Sequence, residues 1–462
     1  MSLMTVQFNI EYKVMFGEQI VVNIQTGEGV QKLPLQTIDG EKWACEWCVE
    51  APEKSYTYYY SVERDGKVVK TEWLMIKHQL DVNAKKAAVY TLYDHWKAMP
   101  EDAYLYSSAF TDCINHQAPQ ELKSESGSKI VRLIVRAPQL RDGERLGVLG
   151  ADKALGAWDV KKILPMTQHT YNEWVADIDA AHLEGSHLEF KFVAFRNAKN
   201  DLLWETSMNR TVDLPEMKAG ELVSYELDQA FFALYNQKLA GTLVPVFSLR
   251  TRKGAGIGDF GDLKTMIDFV ASTGQKVLQL LPINDTTITH TWTDSYPYSC
   301  ISVFAIHPQY ADLNALPELK DAKARAEAEK TRAELNALDK IDYEKVNDFK
   351  INYLRQIFNQ EGEKMMKTAE YKAFFQDTEQ WLVPYAQYSY LRDKNGTADF
   401  NQWPDHQVWD EAERKALTNP KTAAYKNVAF FYFVQFVLDR QMQEAHEHAK
   451  AKGVILKGDI PI

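Results

Sequence analysis

The first half of the chain is built from short segments in which apolar and polar positions alternate. Gln19-Ile-Val-Val-Asn-Ile24 and Tyr56-Thr-Tyr-Tyr-Tyr-Ser-Val62 are rich in β-branched and aromatic residues and read as strands. Arg64-Asp-Gly66 supplies the turn after the second of them. Residues 114–128 are polar and carry Pro, Ser and Gly, the composition of an exposed linker. The strand pattern then resumes in Lys129-Ile-Val-Arg-Leu-Ile-Val135, Arg145-Leu-Gly-Val-Leu149 and His187-Leu-Glu-Phe-Lys-Phe-Val-Ala194. Two consecutive all-β units of about 100 residues each predict sandwiches and suggest a duplicated module.

From about residue 228 the period changes. Thr242-Leu-Val-Pro-Val-Phe-Ser-Leu249 is a strand-like apolar run, Phe260 to Ser272 has helical spacing, and Lys276-Val-Leu-Gln-Leu-Leu-Pro-Ile283 is a second apolar strand. That β-α-β order predicts a parallel sheet buried on both faces. Residues 317–370 are rich in Ala, Glu, Lys and Arg and read as charged helices. An amphipathic helix is expected over Phe430 to Ala449, and a third parallel strand over Val454 to Ile462. The region 228–462 is close to the roughly 250 residues of an eight-stranded α/β barrel, yet shows about three barrel-type strands. A three-stranded parallel sheet would leave an apolar face and an edge uncovered. The expectation is a fragment of a longer protein. The opening Met1-Ser-Leu-Met4 reads as a cloning scar.

Composition narrows the function. Hydrophobic residues make up 45% and charged residues 25%, so real cores can form. The net charge of −11 argues against nonspecific nucleic-acid binding, which rests on Lys and Arg neutralising phosphates. No signal peptide and no apolar run of membrane-spanning length is present, so no membrane partner is expected and a cytoplasmic location is. Cys45, Cys48, Cys113 and Cys300 are too few for a disulfide scaffold, and the lone Cys45-Glu-Trp-Cys48 lacks the second pair of a zinc site. Inert thiols, no metal and no cofactor are expected. Aromatic residues reach 12%, which suits either filled cores or a surface that stacks on sugar rings.

The second β unit carries Leu155-Gly-Ala-Trp158-Asp, then Glu189-Phe-Lys191-Phe, then Leu203-Trp204-Glu205-Thr-Ser-Met-Asn209-Arg210. Two loop tryptophans could stack on a glucose pair, with a Lys and an Asn on the hydroxyls; equally, both could be core residues. The pattern L-G-x-W-[D/N], K-F, W-E-x-x-x-N-R resembles the starch-binding modules of carbohydrate-binding module family 20. That resemblance implies a sugar site at Trp158, Lys191, Trp204 and Asn209, with Glu205 and Arg210 as structural support. The first β unit resembles the same family more weakly, through Phe8-Asn-Ile-Glu-Tyr-Lys and Tyr58-Tyr-Tyr-Ser-Val. It has no L-G-x-W, and Thr71 stands where the second tryptophan belongs, so a scaffold or degenerate module is expected.

In the α/β region, Gly256-Ile-Gly258-Asp-Phe-Gly261 formally matches a dinucleotide-binding fingerprint, which would make a nucleotide-dependent oxidoreductase. Three features argue against it. Arg250-Thr-Arg-Lys-Gly-Ala255 makes the turn too long, Asp259 would repel phosphate, and Asp259 is better placed as a helix N-cap. The stretch Thr242 to Arg250, then Gly256 to Leu263, then Gln279-Leu-Leu-Pro-Ile-Asn284, resembles the amylomaltase family, glycoside hydrolase family 77. So do Asp294-Ser-Tyr-Pro-Tyr298-Ser, Ser302-Val-Phe-Ala-Ile-His307-Pro308 and Gly458-Asp459-Ile-Pro-Ile462. His307 stands where the family usually has Asn, and Ile306 replaces a Gly.

This resemblance implies a retaining 4-α-glucanotransferase acting on maltose, maltodextrin, starch or glycogen. Tyr298 would border the sugar at the cleavage point, Asp459 would bond it, and His307 would help shape the donor subsite. The family's nucleophile (in R-I-D-H), acid/base (in E-D-x-G) and third aspartate (in H-D-N) follow G-D-L-P-I. They are expected beyond Ile462, which leaves no catalytic residue in this chain and predicts glucan binding without transfer. The alternative is a stand-alone starch- or glycogen-binding protein with a vestigial half barrel. The expected architecture is two all-β starch-binding sandwiches followed by the N-terminal part of an α/β (TIM-type) barrel. Its bounds are 5–113 for the degenerate module, 129–227 for the starch-binding module and 228–462 for the partial barrel, with a helical insertion at about 317–430.

Overall fold

The computed structural model describes residues 3–50, 52–83, 88–116, 118–122, 127–196, 202–206, 208–233 and 238–461. The chain forms two compact units, Met1–Gln237 and Lys238–Ile462. Parts of the expected linker (residues 117 and 123–126), Ser207 of the W-E motif and the final Ile462 lie outside the described residues.

Among the described residues the first unit is built of strands, with one α-helical turn, α1 (Ser108–Thr111), and four short 3-10 turns. Its first half holds β1 (Leu3–Glu11), β2 (Gln19–Thr26), β3 (Gly29–Pro34), β4 (Gln36–Thr37), β5 (Lys42–Glu50), β6 (Ser55–Arg64), β7 (Lys67–Thr71), β8 (His78–Asp81) and β9 (Val89–Asp94). Its second half holds β10 (Lys129–Arg136), β11 (Arg145–Gly150), β12 (Leu164–Pro165), β13 (Thr167–Thr170), β14 (Glu173–Asp179), β15 (His187–Phe195), β16 (Leu202–Trp204), β17 (Arg210–Asp213) and β18 (Glu221–Gln229).

Alternation sets the faces. On β1, Met4, Val6, Phe8 and Ile10 are buried and the residues between them are not; β6 buries Tyr56, Tyr58, Tyr60 and Val62 on the core side, with Ser61 also buried near its end. The two-residue turn Asp65-Gly66 has φ of 51° and 72°, the left-handed pair that matches strand twist in a hairpin. One five-stranded sheet runs β3-β2-β6-β7 with β8 on β6, and a second runs β12-β11-β15-β16 with β17 on β15. Both halves therefore repeat one topology.

The two halves are not beads on a linker. A single eight-stranded sheet, β13-β14-β10-β18-β9-β1-β5-β4, runs through both. Its junction is a parallel pair, with Glu221 of β18 opposite Val89 of β9 and Tyr225 opposite Tyr93. The rings of Tyr93 and Tyr225 stack there, 4.9 Å apart. Ile130 and Leu222 of the second half belong to the core built by Val6, Phe8 and Tyr58 of the first. Strand β18, the last of the second half, runs to Gln229.

The second unit has three parallel strands in order β19 (Gly241–Val244), β20 (Val277–Leu280) and β21 (Ile455–Lys457). The first is shorter than the apolar run 242–249. Pro245 has no N–H for a ladder, and the chain turns at Val246–Ser248. The last likewise stops at Lys457, well before residue 462. Helix α2 (Phe260–Ser272) joins β19 to β20. The helical region holds α3 (Ala322–Asn336), α4 (Tyr343–Ile357), α5 (Glu363–Met365), α6 (Ala369–Asn395), α7 (Glu411–Thr418) and α8 (Ala423–Ala451). Helix α8 begins before Phe430, where the Thr422 side chain accepts the Tyr425 N–H as its cap. It is not amphipathic through its middle: Val428 to Leu438 are all buried. A helix apolar all round is a core helix, and α8 packs against α2, α6 and the sheet.

Candidate functional site

In the first unit, the four residues expected to hold sugar come to one outward face. On β15 the core-facing Phe190 and Phe192 alternate with Glu189 and Lys191, which point the other way. Trp204 of β16 pairs with Val193 beside them. Trp158 arrives on a turn with three successive left-handed residues, Gly156 (φ 84°), Ala157 (φ 50°) and Trp158 (φ 61°). For non-glycine residues that conformation is strained. It is held by the Ala157 N–H on Asp152 O and the Trp158 N–H on Gly150 O, both at 2.9 Å. The two indoles are half-buried, their centroids 6.3 Å apart and their planes at 45°. Asn209 is exposed and donates to Glu189 Oε1 at 2.7 Å. Glu189 was not singled out in the sequence; its outward parity on β15 was the available signal.

Glu205 and Arg210 stand beneath this face. Glu205 is 2% exposed, accepts the Phe192 N–H at 3.0 Å and pairs with Arg210 Nη2 at 2.9 Å. Arg210 continues to the carbonyls of Leu227 and Gln229, fastening β17 to the end of β18.

At the matching place in the first half, Ser61 of β6 pairs with Thr71 as Val193 pairs with Trp204. Thr71 is exposed and offers no ring. Glu72 repeats Glu205: it is 3% exposed and accepts the Tyr60 N–H at 2.7 Å. Cys45 and Cys48 are free, and burial raises the Cys45 thiol to about 11, so it stays protonated.

In the second unit, the Tyr298 hydroxyl donates to Asp459 Oδ2 at 2.7 Å, joining the loop after β20 to the segment just past β21. That bond raises the Tyr298 hydroxyl above its ordinary value, so the phenol remains a donor. Tyr296, 59% exposed, lies 5.6 Å from the Tyr298 ring. Asp459 borders a cavity of about 460 Å³ lined by Leu280 of β20 and Leu456 of β21, by Ile283 and Ile306 of the loop after β20, and by Asp439 and Met442 of α8.

Two buried carboxylates, Asp294 at the head of the Asp294-Ser-Tyr-Pro-Tyr298-Ser motif and Asp285, shape the loop that presents Tyr298. Asp294 accepts the N–H groups of Ile288, Thr289 and His290. Asp285 accepts the Thr287 N–H at 3.0 Å and the Tyr385 hydroxyl at 2.6 Å. His307 is 3% exposed, so its ring is closed off rather than open to a ligand. Its Nδ1 accepts the Gln309 N–H at 3.1 Å, which puts any proton on Nε2, 4.0 Å from Asp285. Burial, only partly opposed by Asp285, lowers its pKa and keeps the imidazole neutral.

The glycines of Gly256-Ile-Gly258-Asp-Phe-Gly261 answer to packing. A Cβ on Gly258 would lie 1.9 Å from Val246 O, and Gly256 (φ 83°) lies against Leu335 O. The N-terminus of α2 is occupied by a reciprocal carboxylate cap between Asp259 and Asp262, with the buried Lys350 on Asp259 at 3.2 Å. Burial and Asp259 push Asp262 up to about 6. A phosphate has no place there.

Residues 244–462 match the 4-alpha-glucanotransferase family, glycoside hydrolase 77, and residues 129–224 match the starch binding domain family. The chain carries a 4-alpha-glucanotransferase domain and a starch-binding domain. A 4-alpha-glucanotransferase of Oryza sativa subsp. japonica is 29% identical over 482 residues, covering 100% of this chain and 50% of the rice protein. One from Chlamydia trachomatis serovar D is 32% identical over 223 residues, 48% of this chain and 41% of its own length. The chain thus spans about half the length of the curated relatives it matches. An amylomaltase from Streptococcus agalactiae in complex with acarbose aligns at 20% identity and a TM-score of 0.39, over 48% of this chain and 43% of that one. Among the described residues, no helix is long and apolar enough to cross a membrane.

Proposed function

We propose that this chain is part of a cytoplasmic 4-α-glucanotransferase acting on α-1,4-glucans, and that its 462 residues alone bind glucan without transferring it. The observation that carries the binding reading is the outward face of β15 and β16. Two half-buried indoles 6.3 Å apart offer ring faces to the apolar faces of adjacent glucose units, with Lys191 and Asn209 alongside for hydroxyls. The strained turn at Trp158 supports the same reading, because such strain concentrates where a side chain must be aimed.

Tyr298 and Asp459 form one edge of a sugar subsite: the carboxylate accepts from a hydroxyl, and the phenol turns its ring or its oxygen to the neighbouring unit. His307 acts beneath that subsite, holding the backbone at Gln309, rather than touching sugar. Retaining transfer needs a nucleophile and an acid/base about 5–5.5 Å apart. Asp459 faces a phenol instead, and the sequence holds no R-I-D-H. We read the first β-module as a starch-binding module that has lost its ring platform, from the shared topology and the Glu72–Glu205 equivalence. The three parallel strands with α2 and α8 we read as part of an α/β barrel.

Affinity electrophoresis in soluble starch tests the binding reading. The chain is expected to be retarded, and Trp158→Ala with Trp204→Ala to migrate as in a starch-free gel. Equal retardation of the double variant overturns the platform. Glucose released from maltose plus glycogen by these 462 residues overturns the claim of no transfer.

A further inference from the structure

The junction inside the first unit contains a cluster of ionisable groups that sugar binding does not use. Lys97, 1% exposed, follows β9; its Nζ lies 3.3 Å from Glu173 of β14 and 3.1 Å from Glu226 of β18, and donates to Lys77 O at 3.2 Å. His78 of β8, 2% exposed, places Nδ1 2.6 Å from Glu226 Oε2 and Nε2 3.0 Å from Glu72. Glu72 also accepts the backbone N–H of Lys97 at 2.8 Å. Asp94 accepts the hydroxyls of Tyr58 and Tyr60 at 2.9 and 2.7 Å.

One ligand atom each from His78, Asp94 and Glu226 lies within 4.8 Å of the others, a spacing a cation could use. The cluster already contains its cations. Both imidazole nitrogens are engaged by carboxylates, the Lys97 ammonium sits beside Glu226, and the space among them is about 10 Å³, at the limit for a single water. It is an ion network and not a metal centre.

The sides of this network differ in origin. Among the described residues, the ion pairs of Glu173 and Glu226, both in the starch-binding half, run to Lys97 and His78, both in the other half. In return, His169 of the starch-binding half pairs with Asp81 of β8 at 2.5 Å. An unpaired buried carboxylate is strongly destabilising, so the starch-binding half has two it cannot satisfy from these pairs alone.

We propose that the first β-module is an ion-pair clasp on the starch-binding domain: its Lys97 and His78 neutralise Glu173 and Glu226, so that both halves open together. The module without a ring platform thereby has a task that needs no sugar, and the inference is independent of glucan binding.

Hydrogen–deuterium exchange of the full chain tests it. Lys97→Met is expected to speed exchange by about tenfold or more in peptides of β10 (129–136) and β18 (221–229), although residue 97 lies outside the starch-binding domain. Glu226→Gln, which keeps the shape and removes one charge, is expected to speed exchange in β8 and β9 of the other half. It also serves if Lys97→Met does not fold. Acceleration confined to the half that carries each substitution would overturn the clasp. So would unchanged exchange in both variants.

Discussion

At the scale of single residues, the behaviour of His78 follows from its neighbours. Burial works against its charge, but Glu226 and Glu72 outweigh it, with Asp94 adding to them and Lys97 opposing, and hold it raised to about 10. Tyr58 and Tyr60 stack against or edge onto its ring and add no charge while protonated. Because the folded value is above the ordinary 6.5, this stabilisation is complete below pH 6.5 and is lost as pH rises through about 10. Glu226 works in the opposite window: held low against the cost of burial by His78 and Lys97, it stabilises above its ordinary 4.5 and less as pH falls below it. The thermal midpoint of the first unit is expected to fall between pH 7 and pH 10, and His78→Gln to flatten that fall. A slope unchanged in His78→Gln would assign it to other groups. Glu205→Gln is expected to cost about 3 kcal/mol in urea unfolding, because it leaves Arg210 without its buried partner.

At the scale of elements, the strands that alternate cleanly were legible, and so was the Asp259 cap of α2. The residues proposed to hold sugar stand out as a motif, and the outward parity of β15 brings them to one face. Helix α8 reads as amphipathic from Phe430 onward because that window catches its wet C-terminal half, while the buried stretch Val428 to Leu438 looks like any apolar run. The loop bearing Tyr298 hid its organisation for another reason. Asp294 has no regular spacing to the three N–H groups it collects, so only the folded loop shows that it is a hub. Asp294→Ala is expected to destabilise this loop by roughly 2 kcal/mol, the scale of lost hydrogen bonds to a charged acceptor. Faster exchange limited to 286–298 would report it; unchanged exchange there would refute the hub.

At the scale of the whole molecule, the least legible feature is the merger of the two β halves into one unit. Val89 and Glu221 are far apart in sequence, and parallel pairing between modules leaves no local signal in either strand. The ion network was hidden likewise, since each member sits on a different segment and none forms a motif. Ligand that binds only the folded state stabilises it by mass action. Maltodextrin at about 100 times its dissociation constant is therefore expected to slow global-opening exchange in the first unit by about a hundredfold. Trp158→Ala with Trp204→Ala should abolish that protection.

The parallel seam between β9 and β18 also bears on how such chains can be recombined. A starch-binding domain attached by a flexible tether can be moved between proteins by cutting at the tether. Here a graft that takes only residues 129–229 would carry away a sheet with a raw edge at β18 and two carboxylates cut off from their cations. The transferable part is the tandem, residues 3 to 233, and a donor or recipient that divides it must supply a replacement strand and replacement charge at once.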